Sequence, residues 1–103
     1  MVDGGEKGKG AEQWRGLTVR ARDGNVVGIV VGVFAEGPLA GRLRVHGDYT
    51  RARHKTGLWD GTAVYAIPRR AVRRREQDSL VLNATLDHAR DRWLLYVVHK
   101  TVA

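Results

Sequence analysis

The stretch Val26-Val27-Gly28-Ile29-Val30-Val31-Gly32-Val33-Phe34 limits the fold more than any other part of this chain. It is apolar on both faces and dominated by β-branched residues, which pack well on a pleated surface and lose rotamer freedom in a helix. A strand is therefore expected from Val26 to Phe34. Val27, Ile29, Val31 and Val33 are expected along one side, and Val26, Gly28, Val30, Gly32 and Phe34 along the other. Interior glycines weaken a strand and usually mark a bend, a bulge or a close backbone approach. Gly28 and Gly32 thus predict a sharply coiled strand, as a small closed sheet requires.

The neighbouring segments extend this β reading. Leu17, Val19 and Ala21 alternate with Thr18, Arg20 and Arg22, the pattern of a half-buried strand. Asp23-Gly24-Asn25 supplies residues that tolerate tight-turn geometry. Leu43 and Val45 alternate with Arg42, Arg44 and His46 in another strand. Gly47 to Asp60 is polar and is expected to be an exposed loop or a wandering hairpin arm. Thr62 to Ile67 predicts a strand ended by Pro68, which has no N–H for a ladder. Gln77-Asp78-Ser79 predicts a turn and Leu80 to Leu82 a short strand. Thr85 is placed to cap a short helical turn running to Arg92, and Trp93 to Val98 is expected to close the chain as a strand. The class is all-β, a small barrel of about six strands with one short helical turn.

At 103 residues the chain is long enough for one self-supporting core. Residues 1–14 are Gly-rich without apolar periodicity and predict a flexible leader. The absence of cysteine excludes disulfides, thiolate nucleophiles and Cys-based metal sites. No apolar run approaches the roughly 20 residues of a spanning helix, and the leader lacks a signal-peptide core. A cytoplasmic protein without membrane contact is expected.

Net charge is +7, and fourteen of the 18 basic residues are Arg. Two segments concentrate it. One holds Arg42, Arg44, Arg51, Arg53 and Lys55; the other holds Arg69, Arg70, Arg73, Arg74 and Arg75. Arg suits bidentate contact with carboxylate or phosphate. Arg51, Arg53, Lys55, Arg69, Arg70, Arg73, Arg74 and Arg75 are accordingly candidate contacts for RNA or for an acidic protein partner. Tyr49, His54 and Trp59 interleave with the first group as base-stacking surfaces would. The plainer alternative is a solvated basic surface.

Features of catalysis are scarce. Ser79 is the single serine and lacks the context of an activated hydroxyl. His46, His54, His88 and His99 form no metal-ligand spacing. Asp87 and Asp91 are one helical turn apart but flanked by Arg90 and Arg92. No Gly-rich phosphate loop leads from a strand into a helix. No catalytic residue, metal site or cofactor is expected.

Three stretches together carry a family resemblance: Val19 to Val33, Tyr65-Ala66-Ile67-Pro68-Arg69-Arg70-Ala71-Val72, and Gln77 to Thr85. Their order and spacing resemble the PRC-barrel family over residues 15–92. Arg75 stands where that pattern often has an aliphatic residue. The resemblance implies a small barrel acting as an adaptor that docks on protein surfaces. The expected function is a non-catalytic, homodimeric interaction module. The alternative is an RNA-associated accessory protein, related to the ribosome or to RNA processing. Residues 93–103 lie beyond the matched part and are expected to close the barrel or to form a dimer contact anchored by Trp93 and Tyr96.

Overall fold

The computed structural model describes the backbone of residues 13–53 and 57–99 and the side chains of 13–49 and 61–98. The expected leader therefore lies almost wholly outside the described residues. Its last residue, Trp14, is half-buried against the core.

The all-β expectation holds. Seven strands, β1 (Thr18–Arg20), β2 (Val26–Val33), β3 (Leu43–Arg53), β4 (Gly57–Ile67), β5 (Val72–Arg75), β6 (Ser79–Leu82) and β7 (Leu94–His99), form one sheet. Their order is β5-β6-β1-β2-β3-β4-β7. All neighbouring pairs are antiparallel except β1 with β6. One helix, α1 (Leu86–Trp93), precedes β7. Among the described residues no ladder joins β5 to β7, so the sheet has two edges. All seven strands nonetheless contribute to a single core. Val19, Val27, Val30, Leu43, Val45, Tyr65, Ile67, Leu80 and Leu82 form its buried centre, and Val72 of β5 and Leu94 and Val97 of β7 pack against it. A sheet whose two edges touch the same core is curled around it.

Four register shifts supply the curl, since a bulge bends its strand and increases the local twist. They leave Val27, Val31, Arg73 and Leu95 without an opposite residue. The first two correct the face assignment of β2. Instead of Val27, Ile29, Val31 and Val33 sharing one side, Val27, Val30 and Val33 face the core while Ile29 and Val31 are exposed. Each extra residue shifts the side-chain alternation by one, which a strict period of two does not anticipate.

The two glycines of β2 also separate. A Cβ at Gly28 would meet the His46 carbonyl oxygen at 2.3 Å, and one at Gly47 would meet the Val27 carbonyl oxygen at 1.8 Å. Gly28 and Gly47 therefore let β2 and β3 approach where no side chain fits. Gly32 meets only the Arg15 guanidinium, at 3.7 Å, which is ordinary contact. The bend is carried by Gly28 together with Gly47, which sits inside a strand.

The loop reading of 47–60 is likewise replaced by its hairpin alternative. Strands β3 and β4 pair continuously from Leu43 opposite Ile67 to Arg53 opposite Gly57. Ser79 opens β6 and is buried, so it does not belong to a turn. Helix α1 has Thr85 as its cap, with the His88 amide donating to Thr85 Oγ1 at 3.2 Å. It runs one residue beyond the expected end, taking Trp93 from the closing strand.

Candidate functional site

Directly opposed residues in a ladder share a face, so the registers define what the outer face presents. One row crosses the sheet from Thr18 through Ile29, His46 and Val64 to Tyr96. A second runs from Asp48 through Thr62 to Val98, and Val26 lies opposite Arg20 on the same face. Val64 is buried, but Val26, Ile29, Tyr96 and Val98 are 53%, 48%, 48% and 56% exposed. Four large apolar side chains thus stand half in water on one face, a grouping that, unlike scattered single ones, calls for an explanation.

Between β2 and β3 this face has a groove of about 240 Å³ lined by Val26, Ile29, His46, Asp48 and Thr62. Gly28 and Gly47, where the two backbones approach closely, also line it. His46 was expected on a solvent face, and it does point outward, yet it is half-buried and its Nε2 is buried without a hydrogen-bond partner. A second hollow, about 320 Å³, opens beside the start of α1 and is lined by Arg22, Asn83, Thr85, His88 and Trp93. Its lining combines the Arg22 guanidinium and the polar Asn83, Thr85 and His88 with Ala84 and the Trp93 ring. Among the described residues no three His, Asp or Glu side chains converge as metal ligands.

In strand order the two basic segments lie apart in the sheet. Arg69 lies over the Trp14 ring with its guanidinium carbon 5.5 Å from the ring centre, a cation–π contact that ties the chain's start to the helical turn Arg69–Ala71. Arg74 forms a 2.9 Å ion pair with Glu76. Arg70, Arg73 and Arg75 are exposed, the last two on edge strand β5. Arg51 and Arg53 lie at the far end of β3, opposite Trp59 and Gly57, and three strands separate β3 from β5 in the sheet. Their side chains and that of Trp59, and the whole of His54 and Lys55, lie outside the described residues.

Other Arg residues are held by the fold itself. Arg44 sits over Phe34 at 5.5 Å and Arg90 over Tyr49 at 4.9 Å. Arg42 donates to the Ala66 carbonyl at 3.3 Å. Composition counts these guanidiniums as available cations, but ring faces and carbonyls engage them within the fold.

The two candidate anchors part company. Trp93 ends α1, packs against the core and meets His88 edge-on at 5.9 Å. Tyr96 is half in water on edge strand β7, beside exposed Leu95 and Val98. Sequence reading missed Val26, Ile29 and Gly47. The lone Gly47 following the Leu43–His46 alternation was the available signal for a strand continuing through a close approach.

Asp23 links the β1–β2 turn to the helix. Desolvation pushes its carboxyl pKa up, but hydrogen bonds from the Asn25 backbone and side chain and from the Leu86 backbone outweigh it and hold the carboxyl below its ordinary value of 3.8. The Asn25 amide reaches Asp23 Oδ1 at 3.2 Å.

Among the described residues no helix is long and apolar enough to cross a membrane. No protein-family model, curated protein or solved structure matches this chain.

Proposed function

We propose that this protein is a non-catalytic interaction module of the PRC-barrel type, homodimeric and cytoplasmic, that engages protein through the outer face of its sheet. The observation that carries this reading is the set Val26, Ile29, Tyr96 and Val98, half exposed on one face and continuous with an edge strand that has only one ladder partner. Covering such a face removes apolar area from water at about 25 cal/mol per Å². Among the described residues Ser79 is buried in β6, Asp87 and Asp91 are exposed on α1, and His46 and His88 lie on separate elements, while His46 and Asp48 share the groove of the outer face.

Sedimentation of the intact chain at rising concentration tests the reading. A shift from 11.4 kDa toward twice that mass is expected; a monomer throughout contradicts the homodimer.

The RNA-associated reading is favoured by one observation, the exposure of Arg70, Arg73 and Arg75 at one end of the sheet. Titration with single-stranded RNA at about 50 mM salt separates the two readings. Binding that weakens with salt by about 0.7 log units per neutralised phosphate, and that Arg73→Ala and Arg75→Ala each reduce, establishes the RNA reading instead.

A further inference from the structure

We infer that β7 pairs with β7 of a second copy of this chain, antiparallel about a two-fold axis passing through Val97. The inference rests on the homodimer reading above and names the strand and its register. Three observations carry it.

The first is that β7 is a true edge. Its ladder to β4 uses one side of the strand, and the outward row of N–H and C=O groups has no partner among the described residues. Such a row is a ready template for another strand. Its exposed side chains, Leu95, Tyr96 and Val98, carry no charge that would repel one.

The second is self-complementarity. The ladder to β4 puts Tyr96 and Val98 on the outer face and Leu94 and Val97 on the core side. With Val97 on the axis, Tyr96 stands opposite the partner's Val98, outer face beside outer face, and Val97 opposite its own copy. Moving the axis to Tyr96 sets Leu94, a core-side residue, against the outward Val98. Moving it to Val98 leaves Tyr96 opposite position 100, which is a lysine. The axis through Val97 keeps the three central pairs (Tyr96 with Val98, Val97 with itself, Val98 with Tyr96) apolar on matching faces and meets position 100 only at the outermost pair, opposite Leu94. The row Ile29–His46–Val64–Tyr96 then continues into the partner's row Val98–Thr62–Asp48, with Tyr96 and Val98 meeting at the seam.

The third is closure. Pairing β7 with β5 of another copy is a head-to-tail contact that yields a ring or an open filament and not a two-fold dimer, and β5 presents Arg73, Arg74 and Arg75. That edge is charged against addition, which leaves the self-pair as the closed solution. A six-residue edge is smaller than a standard interface, so association in the micromolar range is expected.

The natural chain has no cysteine, so an introduced pair reports only on the interface. Y96C and V98C are made as single variants, each in the full chain, and both positions are half exposed. They are oxidised with diamide separately and as an equal mixture, at on the order of 100 µM, well above the expected dissociation constant. In the inferred register position 96 faces position 98 of the other copy within disulfide range, while like positions are about 8 Å apart, beyond it. The expected result is a covalent heterodimer in the mixture at least ten times more abundant than the covalent dimer of either variant alone. A dominant Y96C homodimer or V98C homodimer places the axis elsewhere and overturns the inference. So does an uncross-linked mixture that still sediments as a dimer, in which case the homodimer reading survives on another surface. A mixture that is monomeric by sedimentation and uncross-linked, with the natural chain also monomeric, overturns both.

Discussion

Strand β5 ends one side of the sheet with Arg73, Arg74 and Arg75, all exposed, and a register shift that leaves Arg73 unopposed. Strand β7 ends the other side with Leu95, Tyr96 and Val98, also exposed and also bearing an unopposed residue, Leu95. Both edges lean on the same core, through Val72 in one case and Leu94 and Val97 in the other. They differ in what they offer to water. Charge on an edge strand discourages further pairing, and an apolar edge invites it. On the proposed homodimer reading the Arg-rich segment needs no anion: its charge discourages strand pairing at β5, and the proposed association falls on β7 at the opposite end.

The largest disturbance to this arrangement comes from the point where its two halves meet. Gly47→Ala drives a Cβ into the Val27 carbonyl and parts β2 from β3, severing the half that bears β5 from the half that bears β7. Destabilisation of about 3 kcal/mol or more is expected in denaturant unfolding, because the clash is with backbone and no side chain can swing aside. An unchanged midpoint would mean that the two strands are not pressed together there.

Next come two changes of about 1 kcal/mol with opposite signs, both on the β7 side. Thr85→Ala removes the cap of the helix that delivers the chain to β7 and is expected to lower stability by about 1 kcal/mol. Tyr65→Phe works the other way. Tyr65 is fully buried on β4 opposite Leu94, and its hydroxyl has no hydrogen-bond partner among the described residues. Deleting an unsatisfied buried hydroxyl relieves a desolvation cost, so the variant is expected to be more stable by about 1 kcal/mol. Destabilisation on that scale would show that the hydroxyl is satisfied.

The smallest effects belong to the charged groups. Arg74→Ala breaks the exposed ion pair with Glu76 on the β5 side and is expected to change stability by less than about 0.5 kcal/mol. A larger loss would make β5 an energetic element of the fold, where the comparison treats it as a guard. Asp23 has a folded pKa below its unfolded one, so its contribution is present above about pH 3.8 and is lost as the pH falls through the lower, folded value. Asp23→Asn should therefore flatten a stability profile only at the acid end.

The two edges also show how far sequence reading reaches. Class, the β1–β2 turn, the Thr85 cap and the half-buried strands at Leu17 and Leu43 were legible because each depends on neighbours in the chain: alternation, a turn tripeptide, a capping hydroxyl. The face assignment of β2 was not, since one inserted residue inverts every side chain beyond it and nothing in Val26–Val33 marks where the insertion falls. The partner of Gly28 was equally hidden, because Gly47 lies in a different strand and the need for two facing glycines exists only after pairing. Of the candidate contacts, Arg69 and Arg74 turned out to be engaged by Trp14 and Glu76, partners that their own spacing does not reveal. The exposure of Tyr96 was legible because it lies in an apolar run that one short strand cannot bury on both sides. Ile29 and Val26 joined it only through register.

Amide hydrogen exchange followed as a function of protein concentration tests the asymmetry of the two edges most directly. Amides of β7 that point away from β4 should become protected as concentration rises through the micromolar range, while those of β5 exchange at the same rate throughout. Protection that grows on β5 instead, or on neither edge, would contradict the account.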